Sequence, residues 1–563
     1  MQLSDWIQII LFLIVLFAAM PILGNYMAKV YQGEKTWLHP MLQPLEKLIY
    51  TLGGVKAEAE MNWKRYTLGL LWFHLFGFLI LFGLQLLQKS LPLNPAGINS
   101  VELGVAFNTA VSFVTNTNWQ AYSGESGQSY LTQMLGMTVQ NFVSAATGMA
   151  VLVALIRGIT RKQTQNLGNF WADLTRTTVY ILLPLSLVLA LAISSQGVVQ
   201  SLDSYQSVTT LEGAEQVIPL GPAASQIAIK QLGTNGGGFF GLNSAHPFEN
   251  ATPFSNLLQM LSLLLIPMAL CWAYGRMVGS LKQGMTILAT MLILYLGLLS
   301  VAMWAEFQPN QIMGISQALE GKELRHGIVN SVLWGTSTTV TSNGSVNAMH
   351  DSFSPLAGGV MLFNMLLGEV VFGGVGCGLY GMLLLVLLTV FIAGLMVGRT
   401  PEYLGKKIEA FDIRLAAVAI VLPSAAVLLF TAIGVSIPAG TGSFNNAGPH
   451  GLSEALYAFA SQANNNGSAF AGFGAAAPYY AWVGALAMLI GRFGVLIPTM
   501  AIAGSLAAKK VTPPSAGTFP TDGGMFVVLL LSVVLIVGAL TFFPVLSLGP
   551  IVEHFLQLQG RTF

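Results

Sequence analysis

Leu232-Gly-Thr-Asn-Gly-Gly-Gly-Phe-Phe240 is a stretch that suits neither a helix nor a strand, because Gly, Asn and Thr are weak formers of one or both. It lies between a short apolar segment, Ala224–Leu232, and a full-length apolar run, Leu257–Tyr274. A bilayer supplies no water to an irregular backbone, so a loop at that depth must line a polar cavity. The stretch reads as a pore loop.

The composition agrees. Charged residues make up 8% of the 563 and apolar ones 54%, whereas about a quarter of a soluble chain is charged. The class is an all-α polytopic membrane protein set in lipid. A net charge of +1 excludes a nucleic-acid partner, which would need a basic surface. Cys271 and Cys377 both fall in apolar runs without metal-ligand spacing and read as packing residues. The first run, Trp6–Met27, follows Asp5 rather than a basic segment and shows no small-residue cleavage site, so it reads as a retained helix.

Runs of about twenty apolar residues, enough to cross the hydrocarbon, occur at Trp6–Met27, Tyr66–Leu87, Leu131–Ile156, Thr178–Ile193, Leu257–Tyr274 and Met285–Trp304. Val360–Val397, Leu415–Ile437, Tyr480–Leu506 and Phe526–Leu546 bring the expectation to about ten transmembrane helices. Basic residues collect on the cytoplasmic side. With the first loop inside, eighteen of the 24 Lys and Arg residues fall in inner connections and five outside, so both termini are expected on the extracytoplasmic face.

Four outer connections each carry a short apolar segment and then a polar turn. The segments are Leu103–Val114, Ala224–Leu232, Ile328–Thr338 and Leu452–Ala460, too short to cross and suited to re-entrant pore helices. Four helix–pore-loop–helix repeats around one selectivity filter follow, over residues 60–157, 175–276, 284–398 and 412–508. Flanking helices occupy 1–30 and 524–563.

Aligned by residue type, the turns place Asn116-Thr117-Asn118, Thr234-Asn235-Gly236, Ser342-Asn343-Gly344 and Asn465-Asn466-Gly467 in register. None carries a charge. A dehydrated monovalent cation is selected by oxygens of moderate field strength, which carbonyls and hydroxyls provide and carboxylates exceed. Each triplet ends in Gly or Asn, the residues that best tolerate positive φ, as a chain needs when successive carbonyls face one axis. Any one turn alone reads equally well as a surface turn; four in register read as a filter.

Longer strings then carry a resemblance: Asn108-Thr-Ala-Val-Ser-Phe-Val-Thr-Asn-Thr-Asn-Trp-Gln120, Leu232–Phe240, Gly368-Glu-Val-Val-Phe-Gly-Gly-Val-Gly376, Gly398-Arg-Thr-Pro-Glu-Tyr-Leu-Gly-Lys-Lys407 and Ala463-Asn-Asn-Asn-Gly-Ser-Ala-Phe-Ala471. Over nearly its whole length the chain resembles the KdpA family, the potassium-binding subunits of bacterial Kdp potassium-transporting P-type ATPases. The resemblance implies a superfamily fold with four pore repeats, K+ as the transported ion, and a bacterial inner (plasma) membrane location. It further implies a non-catalytic role, with ion handed to a P-type ATPase catalytic subunit, a periplasm-facing accessory subunit and a small single-helix subunit completing the complex. The sequence agrees that this chain binds no nucleotide. It has no Asp-Lys-Thr-Gly motif, and Gly314 and Gly321-Lys322 lack phosphate-loop spacing, with Glu323 where Ser or Thr belongs. The third triplet departs somewhat from the family pattern, with Asn343 where a small or thiol side chain can occur, which leaves the ligand atoms of the third quadrant open.

Below the turns, Val360–Val397 is too long for one straight crossing and is interrupted by Phe372-Gly-Gly-Val-Gly-Cys-Gly378. Gly373, Gly374, Gly376 and Gly378 predict a broken helix acting as a gate. Glu369 before the break and Arg492 within Tyr480–Leu506 are ionisable groups at membrane depth, candidates for the gate or a subunit tunnel, or else for a structural ion pair. His74 reads as a packing histidine, and Asn141 and Ser144 as a polar stripe toward the pore or interhelical glue. The run Arg399–Lys407 reads as a solvated loop, and Asp351 and Glu249 as charges near the mouth. Two rival functions remain: a stand-alone potassium channel of the same superfamily, and an ion-coupled secondary carrier, which inverted repeats would mark.

Overall fold

The computed structural model describes residues 2–310, 312–396, 398–513 and 518–561. Val397, at the end of the interrupted run, and residues 1 and 562–563 of the flanking units lie outside them. The helices are α1 Leu3–Gln32, α2 His39–Gly53, α3 Trp63–Leu87, α4 Leu103–Val114, α5 Thr132–Thr160, α6 Phe170–Ser194, α7 Ala223–Leu232 and α8 Pro253–Met277. They continue as α9 Leu281–Glu306, α10 Gly327–Val340, α11 Pro355–Leu366, α12 Cys377–Met396, α13 Ala410–Ser436, α14 Gly448–Ala463, α15 Pro478–Ala508 and α16 Gly524–Leu558. Among the described residues ten are long and apolar enough to cross a membrane, matching the ten runs read from the sequence.

Local chemistry sets the helix starts. Asn62 accepts the amide of Arg65, Thr252 that of Ser255, and Pro253, Pro355 and Pro478 occupy first-turn positions where no amide is needed. Pro21, Pro267, Pro423 and Pro498 sit inside spans, as neighbouring helices in lipid permit. The four short apolar segments are helices α4, α7, α10 and α14, each followed by its polar turn and another helix.

Burial ranks the spans. In α5 83% of the most apolar window is buried, against 28% in α1 and α3, so α5 is a central post and the other two face outward. α1 lies along α8, where Gly24 allows contact: a Cβ there would meet Trp272 Cβ at 2.7 Å. The interrupted run resolves into α11, a loop over 367–376, and α12. Two elements lie outside the spans and pore segments: the helix α2 between the first two spans, and a hairpin of β1 Gln206–Thr209 with β2 Glu215–Ile218.

Candidate selectivity filter and the cavity beneath it

All four turns fold back on their own short helix by the same bond. The middle residue's amide donates to the carbonyl five positions earlier: Thr117 to Ser112 at 2.9 Å, Asn235 to Lys230 at 2.8 Å, Asn343 to Thr338 at 3.1 Å, Asn466 to Ser461 at 2.8 Å. Across a trans peptide the N–H and the C=O point in opposite directions. The carbonyls of Asn116, Thr234, Ser342 and Asn465 therefore face away from their helices. Those four residues share left-handed φ values of 67°, 48°, 54° and 60°.

This corrects one expectation. Positive φ belongs to the first residue of every triplet, and to the third only at Asn118, Gly236 and Gly467; Gly344 has none. Gly344 is required by space instead, since a Cβ there would lie 2.7 Å from Gly467 C and 2.9 Å from Asn466 O. The same test links the whole ring. A Cβ on Gly236 would meet Gly344 N at 2.0 Å, and one on Gly467 would meet Thr117 O at 2.0 Å. One on Gly237 would meet Asn118 Cβ at 2.9 Å, so the four turns touch in chain order and close a circle.

Side-chain bonds run around the same circle. Asn116 Nδ2 donates to Thr234 O at 3.2 Å, Asn343 Nδ2 to Lys230 O at 3.3 Å, Asn466 Nδ2 to Thr338 O at 3.1 Å and Asn465 Nδ2 to Thr117 Oγ1 at 2.9 Å. Ser342 Oγ donates to Asn465 O at 2.9 Å. A carbonyl has two lone pairs, so Thr234 O and Asn465 O each keep one. Behind the first turn, Asn141 Oδ1 accepts from Asn118 at 2.5 Å and Ser144 Oγ donates to Asn116 Oδ1 at 2.7 Å. They brace the ring from α5 and are not a separate stripe.

The position that accepts the returning amide holds Ser112, Lys230, Thr338 and Ser461. The hydroxyls there bond their own turns: Ser112 Oγ to Trp119 O at 3.3 Å, Thr338 Oγ1 to Ser345 O at 2.8 Å, and Ser461 Oγ from Gly467 N at 2.9 Å. Lys230, fully buried, does the same work through Asn243. Its Nζ donates to Asn243 Oδ1 at 2.7 Å, Ser244 Oγ at 2.9 Å and Glu249 Oε2 at 2.5 Å. With Oδ1 so occupied, Asn243 Nδ2 points to Gly236 O at 2.6 Å. Lys230 lies within Ala224–Leu232, the segment read from the sequence as a short apolar pore helix. The signal was present, since a lysine inside a segment read as a pore helix is an ionisable group at membrane depth.

The loop over 367–376 sits directly under the turns. Gly368, Glu369, Phe372, Gly373 and Gly376 all have left-handed φ. Val375 N donates to Thr234 Oγ1 at 2.9 Å and Gly373 N to Val340 O at 2.7 Å. Gly378, expected in the break, is in the first turn of α12; its use is close packing, because a Cβ would meet Phe372 O at 1.9 Å. Glu369 and Arg492 line one cavity of about 100 Å³ with Asn116, Ser342, Gly374 and Asn465, room for several waters. They form no ion pair. Ser342 and Asn466 are polar neighbours of Glu369, yet among the described residues neither carboxylate oxygen meets a donor in hydrogen-bond geometry. Arg492 donates to Ser144 O at 2.8 Å, Thr147 Oγ1 at 3.1 Å and Cys377 Sγ at 2.6 Å, so Cys377 is a polar contact as well as a packing residue.

Other expectations resolve locally. His74 Nδ1 lies 2.8 Å from Leu70 O in the helix interior, a packing histidine. The run Arg399–Lys407 is a hairpin with Tyr403 and Lys406 buried, rather than a fully solvated loop. Glu249 and Asp351 are not free mouth charges: Glu249 pairs with Lys230, and Asp351 Oδ1 lies 2.8 Å from His450 Nε2. His450 Nδ1 lies 2.9 Å from Glu553 Oε1, and Glu454 is close by, so the imidazole clamps the third turn's exit, α14 and α16 together.

Burial alone would lower the His450 pKa, but the hydrogen bonds and charges of Asp351 and Glu553 overcome it and hold it at about 10, against 6.5 for a free group. The folded value lies above the unfolded one, so this stabilisation is complete below about pH 6.5 and is lost as pH rises toward about 10. Thermal unfolding followed across that window should fall with pH in the native chain and show a flatter profile in His450→Gln.

The KdpA family model, described as the potassium-transporting ATPase A subunit, matches residues 10–555. The chain is 59% identical to the potassium-transporting ATPase potassium-binding subunit of Herpetosiphon aurantiacus, over 98% of both chains. It is 57% identical to the subunit of the same name from Pseudomonas entomophila, over 98% of both, and 56% identical to that from Pseudomonas aeruginosa, over 98% and 99%. The potassium transporter TrkH from Vibrio parahaemolyticus matches in structure with a TM-score of 0.51 at 15% identity, over 76% of this chain and 83% of that one. That likeness is one of fold.

Proposed function

The chain belongs to the KdpA family of potassium-transporting ATPase A subunits, and from that premise we propose that the ring of four turns is its potassium filter. It is the potassium-binding, channel-like subunit of an ATP-driven uptake pump. The observation that carries the site assignment is the repeated amide-to-carbonyl return, which aims four carbonyls away from their helices and leaves no charged side chain in the ring. Neutral oxygens at fixed spacing suit a dehydrated potassium ion. The ion enters from the outer face, binds among 116–118, 234–236, 342–344 and 465–467, and passes to the cavity of Glu369 and Arg492 once the 367–376 loop moves. Repeats over 60–157, 175–276, 284–398 and 412–508 frame the filter, with flanking helices outside them.

ATP hydrolysis resides in a P-type ATPase partner, with a periplasm-facing subunit and a small helical subunit completing the assembly in the bacterial inner membrane. Both termini are extracytoplasmic, as the basic-residue distribution indicates.

Potassium titration of the purified chain by calorimetry, with sodium as the control, tests the assignment. Gly344→Ala should insert normally yet lose potassium uptake, because its methyl group displaces the backbone of Gly467 and Asn466. Unchanged potassium binding in that variant would move the filter elsewhere. Flux into vesicles holding this chain alone, without ATP, would mark a stand-alone channel, and dependence on a sodium or proton gradient a carrier.

A further inference from the structure

α2 has its apolar side turned away from the protein. Met41, Leu45, Leu48, Ile49 and Leu52 are exposed, Leu52 by 79%, while the buried residues of the helix are Leu42 and Glu46. Their spacing of three and four residues puts the five on one stripe. In water a helix with this pattern would pack the stripe inward. Here the inner face is held by polar bonds: Glu46 accepts from Arg176 Nε at 3.1 Å, Tyr50 OH at 2.8 Å and Tyr180 OH at 2.7 Å.

Those bonds also set the height of the helix. Tyr180 lies within span α6, and its carbonyl accepts from Tyr26 OH within span α1 at 2.8 Å. α1 ends at Gln32 and α2 starts at His39, so only a short link separates a spanning helix from α2. α2 is thus level with the ends of two spans, where hydrocarbon gives way to headgroups. Around its axis the residues divide three ways at 100° per residue: the apolar stripe on one side, Glu46 and His39 toward the protein, and exposed Lys47 across from the stripe. Trp37, 80% exposed just before the helix, is of the residue type that collects at this boundary.

We propose that α2 lies flat in the inner leaflet, its apolar stripe in the acyl boundary and Lys47, with exposed Lys35 in the preceding turn, on the phosphates of anionic lipids. Continuity with two membrane-spanning helices and the charge of the lysines favour lipid over a protein partner. An interfacial helix of this kind gains from apolar burial and from anionic attraction together.

The test uses the full chain in nanodiscs with a bimane label on Leu48→Cys, unlabelled Cys271 being buried and Cys377 half-buried; wild type supplies the background. The label should be quenched by doxyl-labelled lipid, shielded from iodide, and blue-shifted further when phosphatidylglycerol is added to phosphatidylcholine. Lys35→Gln/Lys47→Gln in the same background should lose that added shift and keep the lipid quenching. Quenching by iodide would put the stripe in water, and shielding from both quenchers would mean that protein covers it; either overturns the proposal. A wild-type-like response to phosphatidylglycerol in the double lysine variant overturns the headgroup assignment.

Discussion

Gly236→Ala should reach the membrane in normal amount and bind potassium at least about a hundredfold more weakly. The residue has φ 94°, and a Cβ on it would stand 2.0 Å from Gly344 N and 2.5 Å from Gly344 Cα. The left-handed conformation alone costs a non-glycine residue roughly 1–2 kcal/mol. The collision is with backbone, which no side-chain rotation relieves, so two adjacent turns must separate. Each ~1.4 kcal/mol of lost ion coordination is tenfold in affinity, and displacement of oxygens from two quadrants loses at least two such increments. Spans and short helices are untouched, so thermal stability should move far less than affinity. Gly236→Asp adds a carboxylate where neutral oxygens set the field, and should also disturb discrimination between potassium and rubidium. Wild-type affinities for both ions in these variants would remove Gly236 from the filter.

Lys230→Met should be the most destabilising single change near the filter. Among the described residues it leaves Glu249, fully buried, with only the Phe240 amide at 2.8 Å on its other oxygen. Removing one partner of a buried pair costs about 3–5 kcal/mol. Lys230→Met/Glu249→Gln should restore most of that stability, because the uncompensated charge is gone. It should not restore potassium affinity: Asn243 Oδ1 no longer receives the ammonium, its amide is free to turn over, and the bond to Gly236 O is lost. Unfolding midpoints and potassium titration of the three proteins separate the two effects. Full recovery of binding in the double variant would reduce the pair to a packing role.

The ten spans, the four short helices and the four turns were all legible, since each depends on local hydropathy, length and turn preference. The short helices observed at Leu103–Val114, Ala223–Leu232 and Gly327–Val340 match the runs read off the chain to within two residues at either end, and Gly448–Ala463 begins four residues earlier and ends three later. Less legible was anything that depended on what a side chain faces. Glu249 and Asp351 looked like free charges because their partners, Lys230 and His450, are far along the chain or in a segment read as apolar. Cys377 looked like filler because Arg492, 115 residues away, is its neighbour only in the folded bundle. Gly344 was singled out for its φ, whereas the structure constrains it through the backbone of the neighbouring turn.

Hydropathy and the Gly/Asn triplets determined by themselves the ten spans, the four short helices and the four polar turns that follow them, because bilayer thickness and backbone sterics act on short stretches without reference to the rest. Only the tertiary structure decided which turns touch, in what order, and which buried charges they lean on. Those contacts join residues such as Asn116 to Thr234 and Asn465 to Thr117, between neighbouring turns of the closed ring. Their energies exist only once separate helices have packed.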